Sequence, residues 1–406
     1  MRVLLSDGTS LAARQAATAL SLAGHRVEAL SPRPLCLCRM TLRVHAVHRV
    51  PAIGTDPLGW LTAALEVAAR HRAEVLLPVQ EQVAVMSLAR SRIEAAGLLT
   101  AVPDFGALAR VQDKVSAFRT LSGLGLPQPP SWVTDGQRLG DWAGELPLFM
   151  KNPVGTASAG VRRLATPAEL SDLAARLGPG EVLVQQPAAG PLVMVQSVFA
   201  RGQLVAFHAC QRVREGTGGG ASAKLGLALP EVREHVSALG TALGWHGALS
   251  ADVILSPDGP RFIDINPRLV EPASAQLSGV DLTGTLLEVA RAGTARPQPP
   301  ARPGVRTHQL LLAVLGAAQR TGRRRAVLRE LGQAATRTGP YRHSAEELTP
   351  WRPADPIAPL PVAAAALATL VAPGSWRYFT GGATAAYALT PQAWSDLLSQ
   401  ARMTPA

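Results

Sequence analysis

Lys151-Asn152-Pro153-Val154-Gly155-Thr156-Ala157-Ser158-Ala159-Gly160-Val161 follows one β-type run and leads directly into another. Its small, glycine-flanked middle lets backbone amides come close to a bound group, and a lysine at its start supplies a point charge. That combination suits phosphate oxygens. No Gly-Lys-Ser/Thr closes the loop, so it is not a Walker A motif. A glycine-rich hairpin turn has the same look, and the segment gains meaning only with a second one.

The second segment is Ala248-Leu249-Ser250-Ala251-Asp252-Val253-Ile254-Leu255, then Ser256-Pro257-Asp258-Gly259 as a turn, then Arg261-Phe262-Ile263-Asp264-Ile265-Asn266-Pro267-Arg268. It reads as a β-hairpin in which Asp264 and Asn266, two residues apart, share a face. Pairing across the turn brings Asp252 onto the neighbouring strand. Three oxygen-bearing side chains in an apolar hairpin are expensive to bury without a partner, and hard oxygen ligands suit Mg²⁺ carrying nucleotide phosphates. The competing reading is an edge hairpin with solvated acids.

Outward from these segments, residues 1–100 alternate short β-type runs (2–6, 26–30, 74–78) with Ala-rich helical stretches (10–23, 58–71 and from 81), the pattern of a parallel sheet with crossover helices. The first turn, Asp7-Gly8-Thr9-Ser10, lacks G-x-G-x-x-G, which weighs against a Rossmann dinucleotide site. A helix over 113–123 and the breaker cluster Gly125-Leu126-Pro127-Gln128-Pro129-Pro130 come next. Residues 146–291 then read as strand-rich α+β, with strands at 148–151, 161–164, 181–185, 192–199, 204–211, 247–255 and 261–265 and helices at 167–177 and 229–243. A Pro-rich linker over 294–304 separates a mostly helical module, 305–406.

The 406 residues suffice for two to four domains, and a 47% hydrophobic, 17% charged make-up excludes a mainly disordered chain. Cys36, Cys38 and Cys210 are too few and odd in number for a disulfide framework, which points to a reducing compartment. Cys36-x-Cys38 does not have zinc spacing, although His45 and His48 lie nearby. The N-terminus lacks a signal-peptide pattern and no apolar run approaches the ~20 residues of a membrane span, so a cytoplasmic protein without a transmembrane segment is expected. Only Lys114, Lys151 and Lys224 among the 40 basic residues are lysines. An arginine-biased coding composition explains the excess of arginine. A lysine that survives such bias marks a place where a compact ammonium is needed.

Together these segments resemble the ATP-grasp superfamily over roughly residues 1–290, and in particular its carboxylate–amine ligases with a carbamoyl-phosphate-synthase-like ATP-grasp domain. Asp264-Ile265-Asn266-Pro267-Arg268 resembles the family's acid-x-Asn-Pro-Arg strand, and the Lys151 to Val161 segment its glycine-rich loop. Gln112-Asp113-Lys114 followed by Gly125-Leu126-Pro127 resembles its first phosphate-contacting lysine and linker. The resemblance implies an α/β and α+β architecture: a Rossmann-like pre-ATP-grasp domain over 1–110 and an ATP-grasp domain over 111–293. The latter would divide into a nucleotide-clamping subdomain at about 126–190 and a catalytic half at about 191–293, with the helical 305–406 module beyond.

By the same resemblance, Lys114 and Lys151 contact the phosphates of ATP and the loop containing Gly155, Ser158 and Gly160 folds over them. Val184, Gln185 and Gln186 form the adenine hinge, while Asp252, Asp264 and Asn266 hold Mg²⁺ (or Mn²⁺). Arg268 acts with Lys151 in catalysis. Departures from the pattern are Gln186 for a glutamate, Asp264 for a glutamate, Asn152 for a proline, Ala157 for a glycine, and the missing ribose glutamate near Gly190-Pro191-Leu192. Arg212, Arg214 and Lys224 flank Gly216-Thr217-Gly218-Gly219-Gly220, which reads either as a flexible connection or as a mobile loop engaging a substrate carboxylate.

The implied reaction is ATP-dependent joining of a small carboxylate to an amine through an acyl phosphate, releasing ADP and phosphate. Two alternatives remain at this point: a bicarbonate-activating, carboxylase-type enzyme, and a noncatalytic basic polyanion-binding protein. The overall charge of +11 is the sole support for the last, and residues 301–406 alone carry +7 of it. Aromatics at 4% show no stacking pattern among the arginines, so nucleic acid is not an expected partner. The sequence assigns no role to the C-terminal module: capping the active site and forming a homodimer are favoured over lying on a membrane through the 362–371 run, which lacks a cationic polar face.

Overall fold

The computed structural model describes residues 1–156, 159–348 and 353–403. The chain opens with β1 (Arg2–Leu5), α1 (Leu11–Leu22), β2 (Arg26–Ser31), β3 (Ala46–Arg49), α2 (Pro57–His71) and β4 (Val75–Leu77), whose strands form a parallel sheet in the order β3-β2-β1-β4. Local chemistry starts both helices. Ser10 accepts from the Ala13 amide to cap α1, and Asp56 accepts from the Gly59 amide with Pro57 in the first turn of α2. The alanines at 12, 13, 16 and 17 with Leu20 form the buried stripe of α1.

Four helices continue: α3 (Val83–Leu88), α4 (Arg90–Ala95), α5 (Phe105–Gln112) and α6 (Lys114–Gly123). A small antiparallel sheet follows, built from β5 (Ser131–Asp135), β6 (Leu148–Lys151), β7 (Val161–Leu164) and β8 (Glu181–Gln185) in the order β5-β8-β6-β7. Helix α7 (Pro167–Ala174), started by a Thr166/Glu169 capping box, lies before β8. Leu148, Met150, Leu164, Val182 and Val184 are the inward residues of this sheet's own core.

The largest sheet comprises β9 (Leu192–Ala200), β10 (Gln203–Glu215), β11 (Ala221–Leu227), β12 (Gly247–Ser256) and β13 (Gly259–Asn266), with α8 (Pro230–Ala242) crossing between β11 and β12. After α9 (Ala273–Leu277) and α10 (Leu282–Ala292), two short strands, β14 (Arg306–His308) and β15 (Ala345–Glu346), extend it to seven in the order β13-β12-β9-β10-β11-β14-β15. The rest of the chain is helical: α11 (Leu310–Thr321), α12 (Arg324–Ala335), α13 (Leu360–Val371), α14 (Trp376–Tyr387) and α15 (Pro391–Met403).

This tail is tied to the rest of the molecule at both ends. Helix α11 packs on β11, and the Trp394 ring of α15 meets Phe105 at 5.7 Å between centroids. Trp394 and Leu397 are buried in the same core as Leu4, Val193 and Phe262. Among the described residues no helix is long and apolar enough to cross a membrane. Cys36, Cys38 and Cys210 are buried free thiols, and His48 groups with Glu28 and His71 rather than with the cysteines.

Candidate active site

The small and large sheets face each other across a cavity of about 300 Å³ lined by Lys114 and Lys151, two of the three lysines singled out in the sequence, together with Asp252, Asp264 and Asn266. Asp113 caps α6 by accepting from the Ser116 amide, which fixes Lys114 as the first helical residue. The Lys114 Nζ donates to the Gly155 carbonyl at 3.1 Å and lies 4.0 Å from Asp264 Oδ1. At the end of β6, the buried Lys151 donates to Gln185 Oε1 and to the Ile263 carbonyl, each at 2.7 Å. Burial pushes the Lys151 ammonium down to about 8; Asp264 and Asp252 oppose that shift and Lys114 adds to it.

Gly155 is required by close approach, because a Cβ there would sit 2.0 Å from the Ala159 carbonyl oxygen. Gly160 has φ +80°, the left-handed region, and its carbonyl accepts from the Asn152 amide at 2.9 Å, closing the loop. Ser158 and Ala157 lie outside the described residues. Gln185 and Gln186 line the cavity beside Pro187 and Ala188, whereas the Val184 side chain belongs to the core of the small sheet.

On β12 and β13, Asp252 stands directly opposite Asp264, and Ser250 opposite Asn266. The alternation anticipated from the hairpin is therefore present. Burial first, then the facing Asp264 carboxylate, push Asp252 up to about 7, against the pull of Lys151, Arg268 and Arg212. Two carboxylates and an amide oxygen gathered in one place, one of them starved of compensation, form a donor set that fits a hard divalent cation.

Arg268 is buried. Its Nε donates to Glu81 Oε1 at 3.0 Å and its NH2 to Asn266 Oδ1 at 3.3 Å. Glu81 is a buried carboxylate beside the candidate site that sequence reasoning missed. It also accepts from Gln112 Nε2 at 3.0 Å and from the Thr156 hydroxyl at 3.4 Å, so one carboxylate joins the first domain, the glycine-rich loop and Arg268. A signal existed: Gln80-Glu81-Gln82 is a run of three polar residues soon after the apolar strand β4, separated from it by Pro78 and Val79, and all three are buried.

The segment from Arg212 to Lys224 is a hairpin joining β10 and β11. Gly216 donates to the Gly220 carbonyl at 2.7 Å, and a Cβ on Gly216 would lie 2.9 Å from the Leu312 Cβ of α11. Arg212 lines the 300 Å³ cavity and donates to the Gly219 carbonyl at 2.7 Å. Arg214 turns away from it and makes a two-pronged pair with Glu330 of α12, which the Tyr341 hydroxyl also meets. Lys224 is buried between Glu271 Oε2 and Glu347 Oε2, at 2.6 Å from each. Burial alone would lower its pKa, but the two carboxylates outweigh burial and hold it well above the ordinary lysine range.

No protein-family model and no curated protein matches the sequence. Solved structures do match. Biotin carboxylase from Campylobacter jejuni, in complex with β,γ-ATP, aligns with TM-score 0.59 at 18% identity, covering 75% of this chain and 74% of that one. N5-carboxyaminoimidazole ribonucleotide synthetase from Thermus thermophilus aligns with TM-score 0.57 at 18% identity over 75% and 81% of the two chains. An L-amino acid ligase from Bacillus licheniformis aligns with TM-score 0.55 at 15% identity over 73% and 77%. The fold these neighbours share is the one that the sequence resemblance implied.

Proposed function

We propose, from the premise that the chain has the ATP-grasp fold, that it is an ATP-dependent ligase that activates a carboxylate and joins it to an amine. The observation that carries this reading is the convergence of Lys114, Lys151, Asp252, Asp264 and Asn266 on one cavity, with Arg268 bonded to Asn266 at its edge. Carboxylate is a poor acylating agent because its leaving group is oxide. Its oxygen therefore attacks the γ-phosphorus of ATP: an O–P bond forms, the β–γ bridge breaks, and ADP leaves. The amine nitrogen then attacks the carbonyl carbon, the C–N bond forms, phosphate departs, and the nitrogen loses a proton.

In this scheme Lys114 and Lys151 neutralise charge on the phosphates, and Asp252, Asp264 and Asn266 hold Mg²⁺, which when bound supplies further neutralisation there. Lys151 is suited to the task because its described partners, Gln185 and the Ile263 carbonyl, are neutral, so its charge remains available. Arg268 exchanges Glu81 for the transferred phosphoryl group and stabilises the acyl phosphate. The loop around Gly155 excludes water that would hydrolyse that intermediate. Gln185 and Gln186 provide the adenine hinge.

The test is release of ADP and phosphate from MgATP across a panel of carboxylates and amines, with bicarbonate included and product masses determined. ADP release that requires an acid and yields an amide supports the reading. Absence of both turnover and nucleotide binding would sink it, and incorporation of labelled bicarbonate would replace it with the carboxylase alternative.

A further inference from the structure

The first sheet and α2 enclose an apolar core to which Leu4, Leu30, Leu61, Ala64 and Val67 belong. Three positions at one end of this interface break the apolar pattern. On β2, Glu28 pairs with Leu4 and with Ala46 and shares a face with Leu30, whose cross-strand partner on β3 is His48. His71, the last residue of α2, extends the helix's buried stripe one turn beyond Val67 and Ala68. The three side chains meet there. His48 Nε2 lies 2.7 Å and His71 Nδ1 3.4 Å from Glu28 Oε2, and the three ligand atoms are all within 4.8 Å of one another.

We infer that Glu28, His48 and His71 bind a divalent transition-metal ion of the zinc type, which clasps the end of α2 to β2 and β3. The site lies in the first domain, apart from the Mg²⁺ ligands proposed on β12 and β13, and the inference stands whether or not the chain is a ligase.

Ion pairing alone does not account for all three groups. Arg26 Nε donates to Glu28 Oε1 at 3.2 Å and His48 meets Oε2, so each carboxylate oxygen already has a partner. His71 is then surplus: among the described residues its ring has no hydrogen-bond partner, yet its Nδ1 approaches the same oxygen. The two imidazole rings stand 4.1 Å apart between centroids. As imidazolium ions they would repel each other at that range, whereas two neutral imidazoles can share one metal ion.

The geometry and the donor types agree with that assignment. Bonds of about 2.0–2.2 Å in a tetrahedral arrangement put ligand atoms about 3.3 Å apart. His71 already stands at that separation from Glu28 Oε2, and His48 needs to retreat by only about 0.6 Å. Two nitrogens and one oxygen suit Zn²⁺, while Mg²⁺ takes an all-oxygen set. Arg26 holds Oε1 and so leaves Oε2 to the ion, the usual work of an outer partner. The Glu28 and His48 side chains are 8% and 15% exposed and that of His71 34%, so water can reach a fourth position from the His71 side.

The experiment is a competition titration in which the full chain, free of any histidine tag, stripped of metal and kept in excess Mg²⁺, takes Zn²⁺ from a chromophoric chelator. One equivalent should bind with a dissociation constant of about 10 µM or below. His48→Ala and His71→Ala should each weaken binding by more than about tenfold, the least that loss of even an outer partner costs. Co²⁺ in place of Zn²⁺ should give the visible absorption of a four-coordinate ion, and His71→Ala should abolish it. Zn²⁺ should also raise the thermal unfolding midpoint of the parent and not that of His71→Ala, as a clasp requires.

If His48→Ala does not fold, the more exposed His71→Ala and the Co²⁺ spectrum still decide the matter. Binding weaker than about 10 µM, equal affinity in the parent and either folded histidine variant, or an unfolding midpoint that Zn²⁺ leaves unmoved overturns the inference. Loss of binding in Asp264→Asn with retention in His71→Ala moves the ion to the candidate active site and overturns it equally.

Discussion

Nucleotide binding should draw a proton onto Lys151 above pH 7. Burial holds this ammonium at about 8 in the nucleotide-free protein. Polyphosphate brought beside it favours the charged form, and opposite charges at contact range shift a pKa by about 1–3 units. With a bound value near 10, uptake at Lys151 is about 0.5 proton at pH 8 and about 0.7 at pH 8.5, a range in which Asp252, raised to about 7, is already largely ionised and has little proton left to release to the metal. MgADP is fully ionised over that range, so it does not mask the signal. Affinity follows the same linkage and should weaken about fivefold between pH 8 and pH 9.

The assay is calorimetric titration of MgADP in pairs of buffers with different ionisation enthalpies at each pH, repeated with Lys151→Met. The variant is suited to the comparison because two opposing costs nearly cancel. A lysine lowered from 10.5 to about 8 is protonated in the unfolded chain and neutral in the folded one between those values. Stability therefore rises with pH across that window, and below it the buried charge costs about 3 kcal/mol. Methionine removes this cost but leaves Gln185 Oε1 and the Ile263 carbonyl without their donor, at about 1–3 kcal/mol each. The variant should fold and lose the proton uptake. Equal uptake in both proteins, or none at pH 8.5 in the parent, would refute the placement of phosphate at Lys151.

Three further outcomes follow from the geometry. Asp252, raised to about 7, keeps its proton below that pH and a metal ion must displace it, so the Mg²⁺ concentration giving half-maximal ADP release should rise roughly tenfold per pH unit below 7; Asp252→Asn should flatten that dependence as well as lower activity. Gly155→Ala places a methyl 2.0 Å from the Ala159 carbonyl oxygen and should weaken nucleotide binding about tenfold or more by isothermal titration, whereas Gly178→Ala, which meets nothing within 4 Å, should be silent. Glu330→Ala strands Arg214 and the Tyr341 hydroxyl and should lower stability to denaturant by about 2–4 kcal/mol with the KM values for ATP and acid unchanged; a change in KM alone would return Arg214 to the substrate site.

Where the sequence is legible, the reason is that local chemistry and tertiary demand coincide. The runs Val3-Leu4-Leu5, Val75-Leu76-Leu77 and Val182-Leu183-Val184-Gln185 favour extended backbone and occupy buried strands. The strands that escape notice are determined by neighbours. Strands β3 and β5 lie at sheet edges and carry His48 and Arg49, or Ser131 and Asp135, in place of an apolar run. Strand β11, Ala-Ser-Ala-Lys-Leu-Gly-Leu, has no β-branched residue and exists because β10 and β14 pair with it on either side. The glycines at 216 and 218–220 suggest a mobile loop until Leu312 of α11 is seen against Gly216. Glu81 acquires its role only from Arg268, 187 residues away.

The three lysines show how far such reading reaches. In a chain where arginine fills nearly every cationic position, Lys151 and Lys224 are buried and the Lys114 side chain is only 11% exposed, sites where a compact ammonium fits and a planar fork does not. Composition singles out all three alike, and only the partners separate them. Lys224 sits between two carboxylates that hold its pKa above the ordinary range, so its charge is consumed and it serves as a brace for Glu271. Lys151 meets a side-chain amide and a backbone carbonyl, and its pKa falls to about 8. A buried cation with neutral partners is a debt left for a ligand to settle, and the sign of each shift therefore distinguishes the lysine that awaits an anion from the one that already has two.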